Sequence, residues 1–347
     1  NRMKNNKPVL FSTWGKKYSA PVASADKMNA VLSLEDKIAD DTVWCGTFNL
    51  IWNDLKNELA KKDIEFTPQL DVVRNLNKGT FNTECLSEDS YYKVYGKPTI
   101  ELKKQIEKEI KRKFNETSDI LDDFNWNESG DKDYFLYSML KKEFEFPKVF
   151  DRLEKGKFKD WENVKYFGIK KKTSEKVREQ VKVLYYNSKE DFAIKLLTKS
   201  NDEVIISRGN KANTFGEIYA EIKENNENFK GSKNIEEDEI VKIPNIDFKL
   251  KKEFNEIEAK PFLFASGEEY VIEKAVQTIE FSLDEKGGRV KSEAGMTNKT
   301  TALLPDLEPR EFLVNDTFCI FLKEKDKELP YFAAKISDIT QVQILGN

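Results

Sequence analysis

Apolar positions along the chain switch between a helical and a strand period. Within residues 47–60 they fall at Phe48, Ile51, Trp52, Leu55 and Leu59, the recurrence that predicts one buried helix face. Within residues 100–114, Leu102, Ile106, Ile110 and Phe114 form one stripe among Lys and Glu, predicting an amphipathic helix that ends near Asn115. Residues 134–140 (Tyr-Phe-Leu-Tyr-Ser-Met-Leu) then run almost without a polar break, as a strand covered on both faces does. Residues 181–186, 192–197 and 204–207 predict three more strands, the first two separated by the polar turn Asn187-Ser188-Lys189-Glu190. Residues 214–225 return to helical spacing, 226–239 read as loop, and 246–250 and 275–283 read as strands. Residues 1–40 show no clear period, and 64–98 are mixed, with breaks at Gly79 and Gly96. Helices early and strands late, without strand–helix–strand alternation, predict an α+β fold.

One stretch interrupts this order. Between Asp284 and Arg310 the large apolar residues are confined to Val290, Met296, Leu303, Leu304 and Leu307. A segment of this length between two strong strands of a compact domain is either disordered or functional. Beyond it, residues 319–322 and 331–336 predict a hairpin across the charged turn at 323–328.

Composition narrows the function. At 347 residues the length alone suggests two domains, yet 39% hydrophobic residues with 24 Phe can fill one large core. The formal net charge of −4 gives no basic field, so no nucleic-acid partner is expected. No apolar run approaches the ~20 residues of a membrane span. Cys45, Cys85 and Cys319 have no CxxC spacing and read as small core residues, not a disulfide framework or a metal cluster. The chain contains 0 His, which excludes Ser-His-Asp and Cys-His nucleophiles and HExxH zinc sites. Phosphate-cradling GxxxxGK[ST] and GxGxxG loops are absent, and the SxxK match Ser24-Ala25-Asp26-Lys27 is too short to be diagnostic. No enzyme and no cofactor is expected. The chain opens on Asn1 with no apolar stretch behind it, and reads as a mature chain whose leader lies outside it.

Several segments, taken in order, resemble the serpin family in a divergent, bacterial-type form. Residues 275–287, ending Asp284-Glu285-Lys286-Gly287, resemble the central strand that leads into the serpin hinge. Residues 312–321, with Phe312, Asp316, Thr317 and Phe318, resemble the strand after the reactive loop, Thr317 standing where Pro is usual. Residues 329–336 take the place of the last strand. Residues 134–151 are similar to the strand and turn carrying the Asn-Ala and Trp-x-x-Pro-Phe signatures, with Ser138-Met139 at the first and Phe146 at the Trp position, called the breach. Residues 100–115 with Ile120-Leu121 match the helix that lies across the main sheet. Residues 183–186 with 192–194 resemble the Leu-Pro-Tyr strand pair, and 243–248 the Pro-Lys-Phe strand.

The resemblance covers residues 100–340 and implies one serpin-like domain over 1–347: a large central mixed sheet, a second sheet and covering helices. Residues 1–100 would be a divergent helical N-terminal part, and 284–310 a long exposed reactive-centre loop. It implies a monomeric inhibitor that traps a serine or cysteine protease when the loop is cleaved and inserts as a strand, and it places the chain outside the cell or in the cell envelope. The hinge would comprise Glu285, Gly287, Gly288, Val290, Ser292 and Ala294, and the cleaved bond would be Thr301-Ala302, with Lys299 or Leu303 as alternatives. Side chains of a strand alternate between faces. Counted from Gly288, the inward set is Gly288, Val290, Ser292, Ala294, Met296, Asn298 and Thr300, with no charge among them. The charges Arg289, Lys291, Glu293 and Lys299 all occupy the outward set, where burial does not penalise them. Their bulk would slow insertion, so the alternative is a non-inhibitory serpin-fold binding or structural protein whose loop is at most a substrate.

Overall fold

The computed structural model describes residues 25–127, 130–287 and 308–346. Its framework is three sheets. The five-stranded sheet runs in the order β13 (Ile246–Glu253), β15 (Glu269–Leu283), β4 (Asp133–Lys142), β3 (Tyr91–Gly96), with β14 (Pro261–Leu263) paired to the start of β15. A seven-stranded sheet runs β1 (Asn29–Ala30), β2 (Thr42–Cys45), β18 (Phe332–Ile336), β17 (Phe318–Glu324), β11 (Asp202–Arg208), β10 (Asp191–Leu197), β9 (Val181–Ser188). A four-stranded sheet runs β16 (Glu311–Leu313), β12 (Ile240–Pro244), β8 (Tyr166–Ile169), β5 (Asp151–Arg152), and β6 (Gly156–Phe158) pairs with β7 (Trp161–Val164) as a separate ribbon.

The apolar run at 134–140 is the middle of β4, and it is covered on both faces as its pattern requires. On one side α1 (Thr47–Asp54) brings Phe48, Ile51 and Trp52 into a common core with Leu136 of β4 and Ala275 of β15. The helix continues for one π-helical turn, Leu55–Ala60, and stops at Lys61 in the left-handed region. A second helix, α2 (Asp71–Asn77), adds Val73 and Leu76 to the same core. On the other side α3 (Ile100–Phe114) lays its stripe Leu102, Ile106 and Ile110 on Phe135, Tyr137 and Met139 of β4 and Val276 of β15.

The ends of α3 follow from local chemistry. The Thr99 hydroxyl accepts the Leu102 N–H at 3.2 Å, and Asn115 terminates the helix at φ 53° while donating its N–H to Lys111 O. A single turn, α4 (Glu175–Arg178), and α5 (Phe215–Asn228) complete the helices, the latter capped by Thr214 Oγ1 on Glu217 N–H at 3.0 Å.

Three expectations need correcting. The helix begun at Thr214 extends to Asn228, so the loop expected from 226 starts later. Residues 25–100 are not simply helical: they supply β1, β2 and the edge strand β3. Cys45 and Cys319 are buried, but Cys85 is only half-buried.

Candidate functional site: a parallel seam and the turn above it

β15 and β4 run parallel from Val271↔Asp133 to Phe281↔Lys142. Both other neighbours on that path, β13 against β15 and β3 against β4, are antiparallel. The five-stranded sheet therefore contains one parallel seam among the described residues. The register slips by one residue between Ile272 and Lys274, so Glu273 is bulged out of the ladder.

At the upper end of the seam the chain leaves β15 through the turn Asp284-Glu285-Lys286-Gly287, closed by Gly287 N–H on Asp284 O at 3.2 Å. The turn is fastened to the segment that follows β4. Phe146 N–H donates to Lys286 O at 3.1 Å, and Phe150 N–H donates to Glu285 O at 2.8 Å. Gly287 has φ 94°, and a Cβ there would lie 2.7 Å from both Phe144 O and Glu145 Cα, so the close approach and the backbone angle both require glycine. Phe146, the expected breach position, is buried under this turn, edge-on to Phe150 at 4.8 Å. Glu285 is 7% exposed and accepts from Arg152 Nε at 2.6 Å. Burial alone would raise its pKa, but the Arg152 guanidinium and a backbone donor outweigh it and hold the carboxyl below the ordinary value.

The chain re-enters the described structure at Glu308, and a second arginine anchors it there. Arg310 donates from Nε to Glu239 Oε2 at 2.6 Å, from Nη2 to Glu239 Oε1 at 2.9 Å, and from its backbone N–H to Glu239 Oε2 at 3.0 Å. Its remaining donors reach Ser232 O and Asn234 O at 2.8 and 2.9 Å. Burial pushes the Glu239 pKa up, and the Arg310 fork with the backbone donors more than reverses this, leaving it lowered. β16 then lies parallel to β12.

Side chains bolt the seam from both faces. Beneath it, Gln277 of β15 donates through Nε2 to Thr47 Oγ1 at 3.0 Å, Cys45 O at 3.3 Å and Ser138 Oγ of β4 at 3.4 Å, while Thr47 Oγ1 donates to Ser138 Oγ at 3.2 Å. Above it, Tyr137 Oη donates to Thr278 Oγ1 at 3.2 Å under the cover of α3. At its upper end the Lys142 ammonium lies 2.9 Å from Asp202 Oδ1 and 4.0 Å from Glu324 Oε1, all three nearly inaccessible. Tyr331 Oη donates to Asp202 Oδ1 at 2.9 Å, and Ser87 N–H and Oγ donate to Glu324 at 2.9 and 2.8 Å. This network ties the head of β4 to the seven-stranded sheet.

Among the described residues, the strand expected to lead into the hinge is β15, the strand expected after the loop is β16 leading to β17, the expected last strand is β18, and α3 lies across β4 and β15. The fold is serpin-like. No family model matches the sequence, and no curated protein matches it. Among solved structures the chain is similar to Serpin48, described as a highly specific serpin of the insect Tenebrio molitor, at 12% identity over 82% of this chain and 73% of that one, with a TM-score of 0.46. It is also similar to human glycosylated kallistatin, at 12% identity over 79% and 71% of the two chains with a TM-score of 0.47. A third likeness is thyroxine-binding globulin in complex with thyroxine, at 12% identity over 68% and 64% with a TM-score of 0.46.

Of the hinge residues expected in this serpin-like chain, the structure brings Glu285 and Gly287 together with Phe146. Gly288, Val290, Ser292, Ala294, Lys299, Thr301, Ala302 and Leu303 lie outside the described residues. Arg152, Glu239, Arg310 and the Thr47–Ser138–Gln277 cluster were missed by the sequence. Among the described residues no group of three or more Cys, Asp or Glu side chains could hold a metal, and no helix is long and apolar enough to cross a membrane.

Proposed function

We propose that the chain is a trap for a serine or cysteine protease, with the segment between Gly287 and Glu308 as bait and the seam between β4 and β15 as its destination. The observation that carries this is the direction of the hinge turn. It follows the C-terminal end of β15 and is bonded to the residues directly after β4, so it sits over the seam and not over β13. A strand folding back from it runs antiparallel to both seam strands. Insertion replaces one parallel contact with two antiparallel ones, the slightly more stable pairing. The twenty residues 288–307 extend to roughly 66 Å. The ten paired rows of the seam need roughly 33 Å. The bait is long enough to line the seam. The uncharged inward parity Gly288, Val290, Ser292, Ala294 meets the requirement that each second side chain tolerates burial.

The experiment is incubation with trypsin, chymotrypsin and papain, followed by denaturing electrophoresis and a melting curve. A denaturant-stable complex, with a large rise in Tm of the cleaved chain, is the expected result. Ser292→Arg puts a charge at an inward position and converts the trap into a substrate that is cut without a complex; unchanged trapping refutes the parity. A non-inhibitory serpin-fold binding protein is the second reading. It is favoured by one specific observation, the bolting of the seam on both faces, by Gln277 on the α1 side and by Tyr137 under α3. It predicts cleavage with no rise in Tm. Secretion, or residence in the cell envelope, is part of the trapping proposal.

A further inference from the structure

β13 ends at Glu253, opposite Val276, while β15 continues towards the foot of the sheet. The chain then swings out through a short 3-10 turn, Asn255–Ile257, and rejoins β15 only at β14. Over this gap the backbone of β15 needs other partners. Phe254 N–H donates to Ala275 O at 2.8 Å and Ala259 N–H donates to Ile272 O at 2.8 Å. The Ala275 N–H is taken by a side chain, Glu258 Oε2, at 2.8 Å in a buried position. A carboxyl group stands where a strand carbonyl would be.

That carboxyl is not alone. The carboxyl of Glu253 lies in hydrogen-bond reach of it, and Glu253 is in turn held by the Lys274 ammonium at 3.0 Å. The charged groups acting on Glu258 are thus Glu253 from β13 and Lys274 from β15. Next to them on β15 the bulged Glu273 keeps a buried Oε2 without a hydrogen-bond partner among the described residues, and burial and Asp133 raise its pKa. Two carboxyls in hydrogen-bond contact share a proton, because a second negative charge would meet the first.

We propose that Glu258 and Glu253 form a proton-sharing clasp that closes the foot of the seam strand β15, and that the foot loosens when this proton is lost. Burial first, and the Glu253 carboxyl second, raise the Glu258 pKa from 4.5 to about 8. A raised acid pKa contributes stability that is fully present below 4.5 and is lost as pH rises through about 8. The clasp therefore opens across neutral and mildly alkaline pH. It concerns the resting sheet and holds whether or not the chain traps a protease.

The test is Tm as a function of pH, together with hydrogen exchange of the Ala275 amide, for the wild type, Glu258→Gln and Glu253→Gln. Glutamine at 258 imitates the protonated acid, accepting from Ala275 and donating to Glu253. The wild-type Tm is expected to fall relative to Glu258→Gln between pH 4.5 and about 8. Over that window its Ala275 amide, corrected for intrinsic exchange, is expected to lose about tenfold in protection for each unit of pKa shift. Glu253→Gln removes the opposing charge and moves the window to lower pH. Superimposable wild-type and Glu258→Gln profiles overturn the clasp. If Glu258→Gln does not fold, an unmoved window in Glu253→Gln overturns it as well.

Discussion

Gln277→Leu isolates the bolt beneath the seam. Leucine keeps the bulk and removes an amide whose Nε2 serves three acceptors, Thr47 Oγ1, Cys45 O and Ser138 Oγ, between 3.0 and 3.4 Å. The two hydroxyls still have each other at 3.2 Å, so the principal loss is the hydrogen bond to Cys45 O and the bridge from β15 to β4. Stranding a buried acceptor costs about 1–3 kcal/mol. For 347 residues the unfolding entropy is roughly 0.7 kcal/mol/K, so the melting temperature drops by roughly 1–4 °C. Calorimetry measures this directly. The sharper assay is the double-mutant cycle with Thr47→Val, because both residues belong to one network and their effects must fall short of additivity. Additive losses, or a single-mutant Tm equal to the wild type, would refute the bridge.

Two further outcomes follow from the anchors at Gly287 and Arg310. Gly287→Ala forces a Cβ to within 2.7 Å of Phe144 O at φ 94°; a loss of at least about 1–2 kcal/mol is expected in denaturant titration, and an unchanged midpoint would contradict the pinned turn. Glu239, whose pKa is lowered, contributes stability that is present above 4.5 and lost as pH falls through its depressed folded value; Glu239→Gln should remove that acid-side decline in a Tm–pH series, and an unaltered acid limb would show that Arg310 is not its partner.

How much of this the sequence reveals depends on the range of the interaction. The boundaries of α3 are legible because Thr99 and Asn115 act within one turn of the helix ends. β4 is legible because burial on both faces leaves a continuous apolar run. The first half of β15 is not: Glu269, Glu273 and Lys274 break the apolar pattern, since this end is a bulged, partly exposed foot. Nothing local marks the site's own pairs either. Arg152 meets Glu285 across 133 positions, Arg310 meets Glu239 across 71, and Gln277 meets Thr47 across 230. No period or motif connects residues at such distances. Phe146 is singled out in the sequence by the resemblance alone, and the structure buries it against Phe150 and Phe167.

The ionic knot of Lys142, Asp202, Glu324 and Tyr331 makes the two ends of β4 mechanically unlike. The head is moored to a second sheet, whereas the foot is held by its neighbours in the ladder and by apolar packing against α1 on one face and α3 on the other. Under load, as in an optical-trap experiment pulling on the sheet, rupture should begin at the foot and travel upward, with the moored head failing last. The protein is thus a zipper with a single slider end, and any force that opens it has a preferred direction.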